Sequence, residues 1–578
     1  MNRTVIFLAL AVACAGLGWS AHSDANPAEP PLSRYVPAGP LLYLEAKDFS
    51  ALLADWNSSS QKKQWAESSN YAVFSRSRLF LRLNGAGSQF AAAAGLSPDM
   101  DFLSQVAGTR SALALYDIGN LQFLYITYLP SAKAMQTTLW QTRAKFEPRS
   151  AGQANFYLRR DPDSQKEVAF AISGDYLLLA TREDLLAGAL QLMSGSQNRT
   201  VESEPWWSKS VAGAAEPGDL RMVLNLEKIA PGPYFRTYWV QQNITDLGQY
   251  SAAVSDLFRP RDQYREERVL ILKALPAAPA STEALEATAA LSRLVPDNAA
   301  VYEAKAFPSA DSCLDLLETK LLAPNLGAAP VSRMAPQVQL TSGEAGAGSD
   351  LETRIDRAPG QLPATPQKAS ALRELLNKTQ LLASLQVQST ERDKAGVFVK
   401  IHSAVVLVGA SDWNEAIVQS ALADFVGPSL TTSQLGVTWR RESGYQQLDG
   451  LWPLVASVRG KYLLVSDDPI LRAAMISNFN RQSNLKPAVF IAGFNHSHAR
   501  ANFARFFGLV DRPNLAQSDS PGIESPGMES RGMDRQPQFF SENMTSLSST
   551  LAGVSAEHIA VRTNGDRVLQ TVTYEWSE

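Results

Sequence analysis

Short apolar runs alternate along this chain with segments in which apolar residues recur every three or four positions. The run Phe123–Tyr128 predicts a strand, and the residues Ser131–Lys145 carry apolar side chains at helical spacing. The same succession returns at Ala404–Val408, which predicts a strand, and at Trp413–Phe425, which predicts a helix. The pattern indicates an α+β fold in which a mainly antiparallel sheet carries helices packed on one face.

Two phrases of the sequence occur twice, in the same order. Val36–Lys47 recurs as Val295–Lys305, with one residue fewer, and Gly174–Thr181 recurs as Gly460–Ser466. Self-similarity over so long a period predicts an internal duplication. We therefore expect two tandem related copies of the same α+β unit.

The second phrase of each copy also predicts where a helix begins. Thr181 stands at the position of a capping residue, where its hydroxyl would accept the backbone N–H of Asp184. In the second copy Asp468 precedes Pro469, which combines a capping carboxylate with a proline in the first helical turn. Each helix is expected to follow directly on an apolar strand.

The composition divides the chain further. Residues 323–370 and 512–538 are rich in Pro, Gly and Ser, show no hydrophobic period, and are expected to be disordered insertions in the second copy. The predicted organisation is a signal peptide (1–25), a flexible leader (26–34), a first repeat (35–277), a linker and helix (278–294) and a second repeat (295–578).

The N-terminus has the features of an export signal. Arg3 supplies a positive charge, an apolar core follows, and the small residues Ser23 and Ala25 predict cleavage after Ala25. A second interpretation is that Leu10–Cys14 is a lipoprotein cleavage site, in which case Cys14 carries an acyl anchor. Because no later stretch reaches about 20 apolar residues, no membrane span is expected in the mature chain. The expected location is outside the cytoplasm, in the periplasm or secreted.

Charge and cysteine content narrow the class of protein. The net charge is −4 and the 53 Lys and Arg residues are spread along the chain, so nothing predicts binding to nucleic acid. The chain has two cysteines, Cys14 and Cys313. If Cys14 leaves with the signal, no disulfide can form within one chain, and stability must come from apolar cores. Cys313, in a helical pattern, is expected to be a small buried apolar residue.

The duplication singles out one set of polar residues. Glu45 and Lys47 of the first copy recur as Glu303 and Lys305. Residues two apart on a strand share one face, so each pair would form either a charged patch for a ligand or an ordinary exposed ion pair. The one-residue gap is expected to displace only the neighbouring tyrosine.

His496 and His498 form a small histidine cluster. Two histidines two apart on a strand can reach one metal ion, but zinc needs at least a third ligand, and none stands at a suitable spacing. The alternative is a polar loop that leads into a helix containing Phe503. No metal and no cofactor is predicted.

Motifs for catalysis are sparse. Ser59 with Lys62 and Ser483 with Lys486 match the SxxK pattern, but the Lys-Thr-Gly companion of penicillin-binding enzymes is missing, as is a GxSxG elbow. Neither GxGxxG nor a phosphate-binding P-loop occurs. Sequence spacing leaves open an acid–base pair of carboxylates assembled by folding. No catalytic residue is assigned.

Aromatic residues offer two interpretations. They line a groove for a glycan or a peptide, or they form the core-facing side of helices. The residues concerned are Trp206, Trp207, Tyr234, Phe235, Tyr238 and Trp239.

The opening Val36–Tyr43 and the later Gly174–Leu186 resemble elements of a group of exported bacterial proteins. Members of that group carry a VPAD-x-LLY element just after the signal peptide and a later GDYLLLATREDLL-like element. This chain has VPAGPLLY and GDYLLLATREDLL, so Gly39 and Pro40 depart from the usual opening. The group is uncharacterised, and the resemblance implies an exported protein of duplicated α+β build without pointing to an activity.

These features together favour a non-enzymatic envelope protein that binds or scaffolds another molecule, such as an envelope protein, a peptide or a glycan. Two alternatives stay open from the sequence. One is an exported hydrolase with an unrecognised carboxylate or serine site. The other is a chaperone-like factor for envelope assembly, which would need an exposed apolar patch or groove.

Overall fold

The computed structural model divides the chain into two units. The first unit comprises Met1–Pro279 and Asn495–Glu578, and the second comprises Ala280–Phe494. The structure describes residues 31–67, 71, 75–76, 78–195, 198–214, 216–232, 247–259, 263–275, 281–322, 370–392, 399–430, 439–442, 444–448, 453–502 and 554–576. Outside the described residues lie the predicted signal peptide, residues 26–30 of the leader, 323–369 and 512–538 of the insertions, and Tyr234, Phe235, Tyr238 and Trp239.

An antiparallel sheet runs through the first unit. Its strands are β1 (Leu42–Ala46), β2 (Ser111–Asp117), β3 (Gln122–Tyr128), β4 (Glu147–Ala151), β5 (Ala154–Arg160), β6 (Glu167–Ser173), β7 (Tyr176–Ala180), β8 (Leu220–Leu224), β9 (Tyr250–Phe258), β10 (Gln263–Leu272) and, from the C-terminal segment, β19 (Val554–Asn564) and β20 (Arg567–Trp576). They pair in the order β4-β5-β6-β7-β3-β2-β1-β8-β9-β10-β20-β19. The predicted strand at Phe123–Tyr128 is confirmed as part of β3.

The second unit also contains an antiparallel sheet. Its strands are β11 (Ala299–Ala306), β12 (Leu381–Arg392), β13 (Val399–Gly409), β14 (Trp439–Glu442), β15 (Tyr445–Leu448), β16 (Leu454–Arg459), β17 (Tyr462–Ser466) and β18 (Phe490–Asn495). They pair in the order β14-β15-β16-β17-β13-β12-β11-β18. Strand for strand, this is the order from β4 to β8 in the first unit. The predicted strand Ala404–Val408 is confirmed within β13.

Helices occupy many of the connections. Those of the first unit are α1 (Phe49–Ser58), α2 (Ser60–Glu67), α3 (Arg78–Ala94), α4 (Met100–Val106), α5 (Ser131–Ala134), α6 (Thr138–Gln141), α7 (Glu183–Met193), α8 (Pro205–Val211) and α9 (Leu226–Ile229). Those of the second unit are α10 (Thr282–Leu291), α11 (Ala310–Leu317), α12 (Ser370–Thr379), α13 (Glu415–Leu430) and α14 (Pro469–Ser477). The helix predicted within Trp413–Phe425 is confirmed as α13.

Helices cover both faces of each sheet, and the expectation of helices on one face is wrong. Side chains alternate along a strand, so a central strand contributes to two cores. In the first unit Leu178 of β7 packs with α7 and α8, while Leu177 and Leu179 pack with α1, α4 and α6. In the second unit Leu464 packs with α10 and α14, while Leu463 packs with α11, α12 and α13. The uninterrupted apolar run of these strands is typical of strands buried on both faces.

The two predicted helix starts have different outcomes. Helix α14 begins as predicted, because the Asp468 carboxylate accepts the N–H groups of Ile470 and Leu471, both at 3.0 Å. Helix α7 does not use Thr181 as its cap. The Thr181 hydroxyl accepts the N–H of Phe123 at 2.9 Å, so it completes the sheet instead of the helix. The prediction of a Thr181 cap is therefore wrong.

The single helix predicted at Ser131–Lys145 is divided in the structure. Thr137 has an extended backbone, with φ −67° and ψ 149°, and separates α5 from α6. Its hydroxyl accepts the N–H of Trp140 at 3.3 Å and so begins a new helix. A 3₁₀ turn, Arg143–Lys145, follows. Local hydrogen bonds from hydroxyl side chains compete with a continuous helix in this way.

The C-terminal residues pack with the first unit, whereas the sequence assigns them to the second repeat. The reason is a long ladder in which β20 pairs with β10 from Gln263↔Glu575 to Ile271↔Arg567. The boundary between Pro279 and Ala280 lies in the predicted linker. Across the described part of the chain, no helix combines the length and the apolar character needed to cross a membrane.

Candidate functional site

The repeated Glu-Ala-Lys phrase occupies different positions in the two sheets. The two sheets can be compared by matching β7 with β17 along their shared Tyr-Leu-Leu phrase. We call a row the line of residues that are paired with one another across neighbouring strands. Tyr43 and Tyr302 then lie in the same row. Glu303, however, lies in the row of Leu44. The residue missing from the second phrase is therefore missing inside the strand, after the tyrosine. Because side chains alternate, every later side chain points to the opposite face. The expectation that the gap displaces only the tyrosine is wrong.

Glu45 lines a cavity of about 410 Å³ on one face of the first sheet, and other charged residues share this lining. Its carboxylate accepts hydrogen bonds from Arg110 Nε at 2.8 Å and from the Tyr43 hydroxyl at 2.7 Å. Arg221 and Asp256 form a buried ion pair beside it, with two hydrogen bonds of 2.7 Å. Burial, and secondarily the Glu45 carboxylate, raise the pKa of Tyr43, which keeps its hydroxyl a donor. Glu45 thus belongs to a network internal to the first unit.

The same face of the second unit is apolar. Ala304 takes the row that Glu45 has in the first unit, and Ile491 takes the row of Arg221. Both residues are buried in a core. The second unit therefore has no counterpart of this charged network at these two positions.

The opposite face shows the reverse difference. In the second unit Glu303 and Gln386 occupy the rows that Leu44 and Leu113 have in the first. Glu303 forms an ion pair with Lys305 and accepts a hydrogen bond from Gln386 at 3.0 Å. The pair has the ordinary, half-exposed character that the sequence suggested as one alternative. In the first unit the corresponding surface is apolar.

That apolar surface encloses a chamber of about 100 Å³ beneath helices α1, α3 and α4. Two residues that line the chamber carry polar side-chain atoms, and both are engaged elsewhere. The Ser111 hydroxyl shares a hydrogen bond of 2.6 Å with Thr127, and the Tyr125 hydroxyl donates to the carbonyl oxygen of Val106 at 2.9 Å. Burial raises the pKa of Tyr125 to about 12. A ligand in the chamber would meet almost only apolar surface.

A wider cleft of about 460 Å³ adjoins the chamber. The two spaces share Leu44, Phe90, Leu113 and Phe123 in their linings, so they lie next to each other on the same face of the sheet. The sheet is its floor, and helix α3 contributes Phe90 and Gly87 to one side. Small-molecule pockets span roughly 300–1,000 Å³, and the cleft falls within that range.

Two strained residues stand at the mouth of the cleft. Leu121 has a φ of +49° and Gln165 a φ of +56°, and both line the opening. Among the residues that the structure describes, four that are not glycine have a positive φ, and two of the four meet here. This conformation costs roughly 1–2 kcal/mol per residue and concentrates at ligand sites. Both residues lie in turns between paired strands, Leu121 between β2 and β3 and Gln165 between β5 and β6.

Charged side chains surround the same mouth. Arg182 forms an ion pair with Asp184, and Glu167 forms one with Arg160. Lys166 also lines the opening. The site is thus apolar inside and polar at its entrance, as expected of a pocket in which a few polar groups orient a ligand.

The histidines are not placed on a strand. His496 and His498 lie in a helix that begins at residue 496, where the sequence interpretation had a polar loop. Residues two apart on a helix do not face one another, so the pair cannot reach one metal ion as it would from a strand. His496 is buried, with Glu557 4.0 Å away. The described residues contain no group of three His, Cys, Asp or Glu side chains that could hold a metal ion.

The two Ser–Lys motifs are occupied by structural contacts. The Ser59 hydroxyl accepts the backbone N–H of Lys62 at 3.0 Å, and the Lys62 ammonium group donates to Asn57 at 2.6 Å. The Ser483 hydroxyl bonds with Ser292, at 2.9 Å, and with a backbone carbonyl group. Neither serine receives the ammonium group of the lysine in its motif.

Trp207 lies in a core and also lines the cavity beside Glu45. It is buried, and its ring packs edge-on against Tyr43 at 5.0 Å and against Trp206 at 5.8 Å. Cys313 is likewise buried in the second unit, as expected, and burial raises the pKa of its thiol to about 12. A thiol with so high a pKa is unreactive at neutral pH.

Asp467 is a carboxylate that the sequence did not single out. It is 9% exposed, and burial raises its pKa to about 6. Its Oδ1 accepts the N–H of Ser403 at 2.8 Å, and His402 Nδ1 lies 3.9 Å away. In the first unit Thr181 makes the same contact, from the matching position, with Phe123. Asp467 therefore has a structural role, because it accepts a backbone N–H group of the neighbouring strand β13.

Sequence reasoning missed the cleft altogether. The four residues that it shares with the chamber come from three strands and a helix, and no motif connects Leu44, Leu113, Phe123 and Phe90. One signal was available: Gly85 and Gly87 interrupt an otherwise helical pattern, and small residues inside a helix often permit close approach or leave space.

Comparisons with known proteins identify no family. No protein-family profile and no curated protein sequence matches the chain. Among solved structures, crystal form I of TP0453 matches with 12% identity and a TM-score of 0.24, over 44% of this chain and 83% of that one. Crystal form III of TP0453 matches with 11% identity and the same TM-score, over 47% and 89%. A TM-score this low does not show a shared fold.

Proposed function

We propose that the chain is an exported, non-enzymatic binding protein of the cell envelope, and that its first unit holds an apolar ligand. The observation that carries the proposal is the chamber and cleft between helix α3 and the sheet. Its volume suits a small molecule, and the polar side-chain atoms of the inner chamber are already hydrogen-bonded within the protein.

The chemistry of the inner chamber favours an apolar chain over a peptide or a glycan. A peptide carries an N–H and a C=O at nearly every residue, and each loses its hydrogen bonds to water when buried. The strands that form the floor are paired on both sides, so no free strand edge could receive a peptide backbone. An alkyl chain makes no such demand.

We further propose that the two units descend from one duplicated ancestor. The shared order of eight strands and the repeated phrases at β7 and β17 support this history. After duplication, only the first unit kept apolar residues at the rows of Leu44 and Leu113. The export signal at residues 1–25 supports a periplasmic or secreted location, with an anchor at Cys14 as the alternative form of the same location.

The proposal predicts that residues of the second unit will destroy binding when placed in the first. The variant Leu44→Glu with Leu113→Gln copies Glu303 and Gln386. We expect the full exported chain to bind the neutral dye N-phenyl-1-naphthylamine, with its fluorescence enhanced, and the double variant to bind at least about tenfold more weakly.

Leu375→Gln is the matched control, because it places the same polar residue at a half-buried position of the second unit. It should leave dye binding unchanged. If the wild-type chain does not bind the dye, or if the double variant binds equally well, the proposal fails. Displacement of the dye by an unfolded polypeptide but not by apolar small molecules would support the chaperone-like alternative instead.

A further inference from the structure

The charges at the mouth of the cleft are not all neutralised. Arg182 is paired with Asp184, and Glu167 is paired with Arg160 while also accepting the N–H of Glu183 at 3.0 Å. These groups have partners of opposite charge within the protein. They contribute little net field to a ligand at the entrance.

Lys166 differs from them. Its ammonium group donates to the amide oxygen of Asn120 at 3.3 Å, which is a neutral and rather distant acceptor. No carboxylate lies within 4.0 Å of Lys166 Nζ among the described residues. The charge of Lys166 acts on Asp117, whose carboxylate accepts hydrogen bonds from the Asn120 backbone and side chain, both at 2.9 Å. Two of the three ammonium protons remain available to a ligand.

Lys166 and Asn120 lie in the two turns that contain the residues with positive φ. Gln165, with φ +56°, directly precedes Lys166, and Leu121, with φ +49°, directly follows Asn120. One of these two residues thus stands next to each partner of the hydrogen bond, Gln165 beside Lys166 and Leu121 beside Asn120. The hydrogen bond between Lys166 and Asn120 joins these two turns at the entrance.

We propose that the ligand is a single-chain amphiphile with an anionic head group, which Lys166 binds at the mouth while the alkyl chain enters the chamber. This inference rests on the proposed function and adds the class of ligand. The chain fills the apolar space beneath α1, α3 and α4, and the head group completes the hydrogen bonding of Lys166. A neutral amphiphile gains the first interaction and not the second.

The test compares two ligands that differ in the head group alone. Dodecanoate and dodecan-1-ol are titrated against the complex of the full exported chain with N-phenyl-1-naphthylamine, and displacement of the dye is measured. We expect dodecanoate to bind about tenfold more tightly than the alcohol, the gain expected of one hydrogen bond to a charged group. That advantage should shrink as salt is added, because it is electrostatic.

The variant Lys166→Gln should remove the advantage of dodecanoate and leave the alcohol unaffected, while Lys166→Glu should make dodecanoate the weaker ligand. The control is Lys209→Gln, at an exposed lysine of helix α8 on the other face of the sheet, which should change neither affinity. Unchanged binding of dye and alcohol shows that each variant is folded.

The outcomes separate the two proposals. If both ligands displace the dye with equal affinity and Lys166→Gln changes neither, the anionic head group is excluded and the apolar binding site stands. If the dye does not bind at all, both proposals fail. A preference for dodecanoate that survives Lys166→Gln also overturns the assignment of the head group to this lysine.

Discussion

The two units share a strand order but place polar and apolar residues on opposite faces of one strand. In β1 of the first unit, Glu45 faces the charged cavity and Leu44 faces the apolar cleft. In β11 of the second unit, Ala304 enters the core and Glu303 takes the row of Leu44. One residue fewer after the tyrosine suffices for this exchange, because the period of a strand is two residues.

The comparison teaches that a repeated phrase can mislead when it lies on a strand. An alignment that superimposes the two Glu-Ala-Lys sequences pairs residues of the same type. The pairing of strands in the sheet instead shows which residues occupy the same position in the fold. This pairing assigns Glu303 to the position of a leucine. A gap of one residue in a loop would have had no such consequence, since loops impose no alternation.

A second difference between the units concerns the residue that directly follows β7 in the first unit and β17 in the second. Thr181 and Asp467 accept a backbone N–H in matching positions, at 2.9 and 2.8 Å. A hydroxyl makes this contact without a charge, whereas burial raises the pKa of the Asp467 carboxyl group to about 6. The second unit therefore carries a pH dependence that the first lacks at this position.

The largest expected effect comes from breaking the charged network of the first unit. Asp256→Asn leaves Arg221 buried without its carboxylate and should lower the free energy of unfolding by about 3–5 kcal/mol. Replacing both residues, as Arg221→Ile with Asp256→Val, should recover most of that loss, since the second unit holds Ile491 in the row of Arg221.

Chemical denaturation of the three proteins measures this difference. The exposed ion pair of Arg481 with Asp297, 3.0 Å apart, supplies the control, and Asp297→Asn should change stability little. The comparison would be contradicted if the single and the double variant of the buried pair lost the same free energy of unfolding. Such a result would show that apolar residues, which the second unit has at this position, cannot replace the ion pair in the first unit.

The next effect concerns pH. Burial raises the pKa of Asp467 to about 6 in the folded protein. The stabilisation from the protonated group is fully present below the unfolded pKa of about 3.9 and is lost as the pH rises through about 6. A shift of about two pKa units corresponds to a loss of about 3 kcal/mol by pH 7. The neighbouring His402, 3.9 Å away, lowers this pKa, and Asp468 raises it.

Asp467→Asn should flatten the stability of the chain between pH 4 and 7, as measured by denaturation at several pH values. Asp467→Thr, which copies the first unit, should do the same. Thr181→Asp should create a similar pH dependence in the first unit. An unchanged slope in Asp467→Asn would show that another group titrates in this range.

The smallest effect is expected at the wall of the cleft. Gly85 lies in helix α3, and a Cβ atom placed there would meet no atom within 4 Å. Gly85→Ala should therefore stabilise the helix by about 1 kcal/mol without filling the cleft. Hydrogen exchange of α3 amides, with dye binding as a second readout, measures the effect. Slower exchange with unchanged dye affinity is expected, and a loss of affinity would show that the wall must bend to admit a ligand.

Local features of the fold were predictable, and features that depend on competition between neighbours were not. The strand at Phe123–Tyr128 follows from its composition, and the helix start at Asp468 follows from a cap next to a proline. Thr181 looked like an equally good cap. Its hydroxyl instead accepts a hydrogen bond from the backbone N–H of Phe123, a residue of the adjacent strand that is distant in sequence.

The candidate site belongs to the second kind. Leu44, Leu113 and Phe123 come from three strands, and Phe90 comes from a helix that folds over them. None of these residues is unusual in the sequence. Nothing in the sequence distinguishes Lys166 from the other lysines. Only the hairpin between β5 and β6 places it at the mouth of the cleft.

The sequence by itself determined the alternation of strands and helices and the mixed α+β class, because both follow from the spacing of apolar residues along the chain. Only the tertiary structure decided which face of β1 and of β11 each side chain occupies. Facing depends on the register of paired strands, and register is a relation between segments far apart in sequence. The apolar cleft and the charged network exist in the first unit for that reason.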